Sequence, residues 1–258
     1  MKFQLFPFFL FIFCIEVSGQ TTHEMKKFNS FTSGEHLKYM VRYGFIHGGE
    51  ASIDLKLVSY NDKSVYHSRV LAKTTGIAEK LFGVEDIYES YFDTHTRLPY
   101  KAIRNIKEGN YRFYNEVYYN HEDSTLYSQR SDSVFHVSPE ILDMVSMLYY
   151  LRSIEMEKLV PGNAIEVITF FGDEIFPFKI RYTGKEEVKS KFGKINCYRF
   201  DPVVETGRIF KSEDDMTMWI SADQNLIPVV VRFDMLFGSI RCELEGYSNL
   251  KYKFNFVK

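Results

Sequence analysis

The sequence predicts a mainly β protein: a large curved antiparallel sheet or incomplete barrel with one principal buried helix at about residues 139–158. Three observations predict it. Apolar and polar residues alternate with period two through most of the chain, turn residues interrupt that alternation at short intervals, and only one segment has a helical apolar pattern.

Composition narrows the classes of function. The 258 residues are 45% hydrophobic and 26% charged, an ordinary globular balance, and 34 acidic against 32 basic side chains leave a formal charge of −2. Nucleic acid is therefore not an expected partner, because affinity for it comes from neutralising many phosphates. Residues 1–19 read as a secretory signal peptide. Lys2 opens it, an apolar run follows to Ile15, and Val17-Ser18-Gly19 places small residues before a cleavage point at Gln20. The run is too short, and too interrupted by Pro7, to span a membrane. No small residue precedes Cys14 in Phe11-Ile12-Phe13, which argues against lipid anchoring. The expectation is an exported, soluble, periplasmic protein with a single β-rich domain over 20–258.

The elements follow in order. Leu37, Tyr39, Val41, Tyr43 and Phe45 share one face, Gly48-Gly49 is the expected turn, and Ala51, Ile53, Leu55 and Leu57 return as the second arm of a hairpin. A third strand is expected at 65–75, a helical turn at 77–83, and strands at 87–92, 100–107 and 111–119, the last two joined at Glu108-Gly109-Asn110. Short strands follow at 125–129 and 133–137. After the helix come strands at 164–171, 174–182, 186–189, 194–200, 216–221, 226–233 and 239–244, with a final one at 252–257. Pro228 implies an edge or a bulge, since proline cannot donate to a ladder.

In the helix, Ser138 is the expected N-cap and Pro139 the first residue, with Pro161-Gly162 beyond the end. Asp143, Ser146, Tyr150 and Ser153 form one narrow polar stripe, and the rest of the circumference is apolar. So wide an apolar arc requires burial on more than one side. Val145, Leu148 and Leu151 should touch the concave side of the sheet. Arg152 lies among them, either capping carbonyls at the helix end or making a polar contact inside a cavity. Asp143 and Arg152 face opposite ways and should not pair.

Chemical motifs are sparse. Seven scattered histidines and no Cys-x-x-Cys give no zinc pattern, and neither a phosphate loop nor a nucleophile elbow occurs. No cofactor, metal site or catalytic residue is expected. Ser33-Gly34-Glu35-His36 reads as a strand entry, and the acidic runs at Glu85-Asp86, Glu122-Asp123 and 213–215 as solvated turns. Cys197 and Cys242 are a candidate disulfide pair in an exported chain, or else two buried thiols.

Phe31-Thr32-Ser33-Gly34-Glu35, Tyr43-Gly44, Gly48-Gly49-Glu50-Ala51, the run from Asp143 to Arg152, and Met216-Thr217-Met218-Trp219-Ile220-Ser221 continuing through Pro228 to Gly238-Ser239 resemble the bacterial exported family of unknown function numbered 3108. That resemblance covers nearly all of the mature chain and implies no catalytic residues. One helix with a long antiparallel sheet is also similar, at the level of fold, to the periplasmic lipoprotein carriers, half-barrels that shelter acyl chains. The expected function is a non-catalytic binding or carrier protein of the cell envelope. Its partner would be a hydrophobic small molecule or lipoprotein, met by Tyr39, Tyr43, Val145, Leu148, Leu151, Arg152 and Trp219, with peripheral contact to the membrane or envelope proteins. An envelope adaptor with a filled core is the alternative, and a hydrolase the third.

Overall fold

The computed structural model describes residues 29–203, 215–234 and 238–256. The expected leader and its cleavage point lie outside the described residues. Strands β1 (His36–Tyr43), β2 (Ile46–Tyr60), β3 (Lys63–Thr74), β4 (Val84–Asp93), β5 (Pro99–Glu108), β6 (Tyr111–Asn120), β7 (Thr125–Ser128) and β8 (Ser133–His136) form one meander, with helix α1 (Gly76–Leu81) between β3 and β4. Helix α2 (Met144–Leu151) and a 3-10 turn (Met156–Lys158) lead to a second meander: β9 (Ala164–Phe171), β10 (Glu174–Ser190), β11 (Gly193–Pro202), β12 (Met216–Ser221), β13 (Pro228–Asp234) and β14 (Ser239–Ser248). Because β14 pairs with β1, the two meanders make one antiparallel sheet of fourteen strands, running from β8 at one edge to β9 at the other.

The sheet curls around α2 without closing. Val145 and Tyr149 of the helix share a core with Leu37, Leu55 and Phe92 of the first meander and with Ile195, Trp219 and Leu244 of the second. Room for the helix comes from small side chains. Leu55, Ser68, Ser90, Ala102, Val117 and Ser128 stand opposite one another across β2 to β7, so three serines and an alanine form a shallow furrow on the concave face. Two of these serines also bind the helix: Ser68 Oγ lies 3.0 Å from Tyr149 Oη, and Ser90 Oγ donates to Asp143 Oδ2 at 2.6 Å. Where the sheet edges approach, Ile141 and Phe170 pack against Val117, Tyr119 and Leu126. Leu142 makes a single parallel bridge to Thr169, with Leu142 N–H donating to Ile168 and Phe170 N–H to Leu142, both at 2.9 Å.

Several expectations are corrected. The helix is eight residues long, not about twenty: it starts at Met144 because Asp143 is a stronger cap than Ser138, its carboxylate accepting from Val145 and Ser146 N–H and Ser146 Oγ accepting from Asp143 N–H, and it ends at Leu151 with Arg152 as C-cap, ahead of the separate 3-10 turn. Leu142 is thereby freed to cover part of the β9 edge, whose backbone would otherwise be unpaired. The polar stripe is buried: Ser146 is 0% exposed, and Asp143 and Ser153 are each 4%. The first hairpin turns at Gly44-Phe45, with Gly44 at φ +56°, whereas Gly48-Gly49 lies inside β2. Gly49 is required there because a Cβ would stand 2.4 Å from the Lys73 carbonyl oxygen. The expected strands at 174–182 and 186–189 are one strand, β10, bent by a bulge at Gly184. The segment expected as a last strand at 252–257 is irregular through residue 256. Cys197 and Cys242 are free thiols, on β11 and β14 with two strands between them, so the disulfide alternative gives way to the thiols.

Candidate functional site: a cleft at the open seam

Beside the seam between the β8 and β9 edges, β4, β5 and β6 face the β9–β10 hairpin next to the N-terminus of α2. A cleft with about 50 Å³ of free space opens there. Its walls are Tyr88, Ala102, Phe113, Val117, Met144, Val145, Phe170 and Phe171, and its polar groups include Arg104, Asn115, Tyr119, Asp143 and Asp173. Asn115 Nδ2 and Ser128 Oγ donate to Asp173 Oδ1 at 3.3 and 2.6 Å, and the Phe135 and Phe170 rings meet edge-on at 5.0 Å. Side chains therefore provide most of the seam's joins.

Register places Arg104 here. It stands opposite Tyr88 of β4 and Asn115 of β6, on the face that also carries Ala102 and Ile106. Its guanidinium lies 4.4 Å from the Phe171 ring centre, 4.7 Å from Phe113 and 5.8 Å from Tyr88. Among the described residues it forms no ion pair, and its buried Nε has no hydrogen-bond partner. The hydroxyl of Tyr119, a residue only 8% exposed, is likewise buried and unpartnered. Burial, with Asp143 nearby adding to it, holds that phenol far above its ordinary pKa, so it stays a neutral O–H. Burial also pushes the Asp143 carboxyl up, against three hydrogen bonds from Ser90, Ser146 and Val145 that favour its charge. Buried polar groups in folded proteins are nearly always paired, so two orphans in one cleft are informative.

The residues predicted from sequence are not gathered there. Val145 alone lines the cleft. Tyr39 is buried and donates to the Pro228 carbonyl at 3.0 Å; Tyr43 is half-exposed on the rim. Leu148 packs on the central core, and Leu151 belongs to a second cluster with Ile180 and Phe200. Trp219 Nε1 donates to Glu186 at 2.7 Å. Arg152 does not line this cleft and does not reach solvent. It is 1% exposed, makes two charge-assisted bonds to Glu35 at 2.6 and 2.8 Å, and donates to the Asn225 carbonyl at 2.9 and 3.2 Å. Asp143 and Arg152 do not pair; they cap the two ends of α2. One signal for Arg104 was present in the sequence, since alternation put it between Ala102 and Ile106 on an inward face.

Among the described residues no group of three or more His, Cys, Asp or Glu is gathered as a metal site requires. A family model of proteins of unknown function, DUF3108, matches residues 38–245. The chain belongs to the DUF3108 family. No curated protein matches it. Among solved structures, this DUF3108 chain is similar to the beta-barrel-like DUF1849 protein of Brucella abortus, with 8% identity and a TM-score of 0.55 over 85% of this chain and 99% of that one. That likeness shows the fold alone. A DUF1089 family protein from Pseudomonas aeruginosa, 9% identical, has a TM-score of 0.39 over 69% of this chain and 87% of its own, and carries no argument.

Proposed function

We propose that this DUF3108 protein is an exported, non-catalytic binding or carrier protein of the cell envelope that shelters a hydrophobic ligand at the seam of its unclosed barrel. The observation that carries the reading is the seam cleft, an aromatic and apolar hollow holding two buried polar atoms without partners. Its free space, about 50 Å³, suits a few waters or a ligand's polar end, whereas pockets that enclose a drug-sized ligand hold ~300–1,000 Å³. An acyl chain would need the seam to part, and one backbone bridge with a few side-chain contacts is a weak closure. Native mass spectrometry, with lipid extraction of protein purified from its own envelope, tests the reading. A co-purified acyl compound is expected, and repeated absence would overturn it.

A second reading, the envelope adaptor, is favoured by the rim. Strand alternation brings the β1–β2 turn, α1, the β5–β6 turn and the β9–β10 turn to one end of the sheet. Phe45 (93% exposed), Leu81 (81%), Ile77 (76%) and Ile175 (48%) project there. A partner bound through these tips, with no lipid in the cleft, would make the adaptor the better account.

A further inference from the structure

We infer that the seam cleft recognises a carboxylate, with Arg104 as its counter-charge; Tyr119, four residues along β6 from the cross-strand neighbour of Arg104, is a separate polar group of the same wall. The inference rests on the binding reading above and adds the chemistry of the ligand's polar end. Arg104 carries a permanent charge among three aromatic rings, with no ion pair among the described residues and a buried Nε–H that reaches nothing. Rings attract a guanidinium but do not accept its in-plane N–H bonds, and an uncompensated buried donor is costly. The edge formed by Nε and a terminal nitrogen matches the two oxygens of a carboxylate. Tyr119 lies further along β6 and supplies the cleft's other buried hydroxyl without a partner among the described residues.

The cleft's own acids narrow the choice. Asp143 already accepts from Ser90, Val145 and Ser146, Asp173 accepts from Asn115 and Ser128 through Oδ1, and Glu89 is joined to His67 at 2.6 Å. With Arg104 the one cation in the lining among the described residues, a dianion such as phosphate meets about twice the repulsion from these acids that a monoanionic carboxylate does. An ammonium group would be repelled by Arg104, which is held in the cleft by three ring contacts. The carboxylate could belong to a small organic acid or end a fatty acyl chain. The apolar wall of Met144, Val145 and Phe170 beside Tyr119 suits the chain.

Calorimetric titration of the mature full chain with dodecanoate, 1-dodecanol, benzoate and inorganic phosphate tests this, in parallel with Arg104→Gln and Tyr119→Phe. Circular dichroism checks that each variant is folded. Dodecanoate should bind the wild type and lose about ten- to a hundredfold in Arg104→Gln, the worth of one charge-assisted bond, and less in Tyr119→Phe, while 1-dodecanol is unchanged. Phosphate should not compete. Equal affinity for dodecanoate and 1-dodecanol, both unaffected by Arg104→Gln, would overturn the carboxylate site and leave the carrier reading standing. Benzoate binding as tightly as dodecanoate, with the same dependence on Arg104, would support the carboxylate site and remove the acyl-carrier reading. Failure of all four probes would overturn both.

Discussion

Two arginines lie near opposite ends of α2, each among aromatic rings, and they differ in what surrounds the charge. Arg152 has Phe31 and Tyr149 at 5.2 and 5.4 Å and is completed by the Glu35 carboxylate and two backbone carbonyls. Burial opposes its charge, and Glu35 more than offsets that, so its pKa is raised. Arg104 has rings of similar proximity but, among the described residues, no carboxylate within ion-pair distance and no partner for Nε. The first arrangement is complete; in the second the Tyr88 hydroxyl is drawn to the guanidinium, but Nε has no partner among the described residues. Ring contacts are common to both arginines; what differs is how many of their N–H groups meet an acceptor.

The largest effect is expected at the completed site. Arg152→Met should destabilise the protein by about 3–5 kcal/mol in urea unfolding, because it strands Glu35 as a buried charge and leaves the Asn225 carbonyl without its donor. Glu35→Leu combined with Arg152→Met should cost less than the two singles added together, by about 1–3 kcal/mol of coupling. Strict additivity would show that the pair is not the coupled unit the geometry describes. At the other end of the helix, Asp143→Ala should cost about 1–2 kcal/mol, since it removes a cap and leaves Ser90 unpaired. Asp143→Asn should be nearly neutral. Its side-chain oxygen can still accept from Val145 and Ser146, and the charge it removes is one that burial already disfavours.

Legibility followed the range of the interactions. Strand positions and the curved sheet could be read from sequence because alternation is a local property, and β4, β5 and β6 lie within a few residues of their expected bounds. The helix was overextended because residues 140–142 are helix-compatible locally but are drawn to the β9 edge by contacts far along the chain. Glu35 and Arg152 are 117 residues apart, so their pairing has no local signature. Arg104 was legible only in part: parity placed it inward, but whether its N–H groups found partners depended on Phe171 and Asp173 arriving from the second meander.

The uncompleted site should respond weakly to changes that are costly elsewhere. Tyr119→Phe deletes a buried hydroxyl that binds nothing, so unfolding should show no loss, or a gain of up to about 1 kcal/mol. A loss above ~1 kcal/mol would mean that the hydroxyl has a partner in solution, such as an ordered water, and that the cleft is not waiting for a ligand.

The smallest effect concerns Asp86, an acid whose charge Arg104 favours. Asp86 stands two residues along β4 from Tyr88; burial raises its pKa from 3.8 to about 6, and Glu108 adds to this while Arg104 and a hydrogen bond from Lys107 N–H work against it. Between these two values the folded chain holds a proton that the unfolded chain has released. Stability contributed by this group is therefore full below about pH 4 and falls as pH rises through about 6. Asp86→Asn should match the wild type at the acid end of that window and exceed it at the neutral end, by an amount that solvent screening keeps small. Urea midpoints of both proteins across the window check the sign. Arg104→Gln removes a charge that lowers the Asp86 pKa, so it should extend the window upward. A window unmoved by Arg104→Gln would mean that Asp86 does not sense the guanidinium, and that the cation at the seam is even less compensated than its surroundings imply.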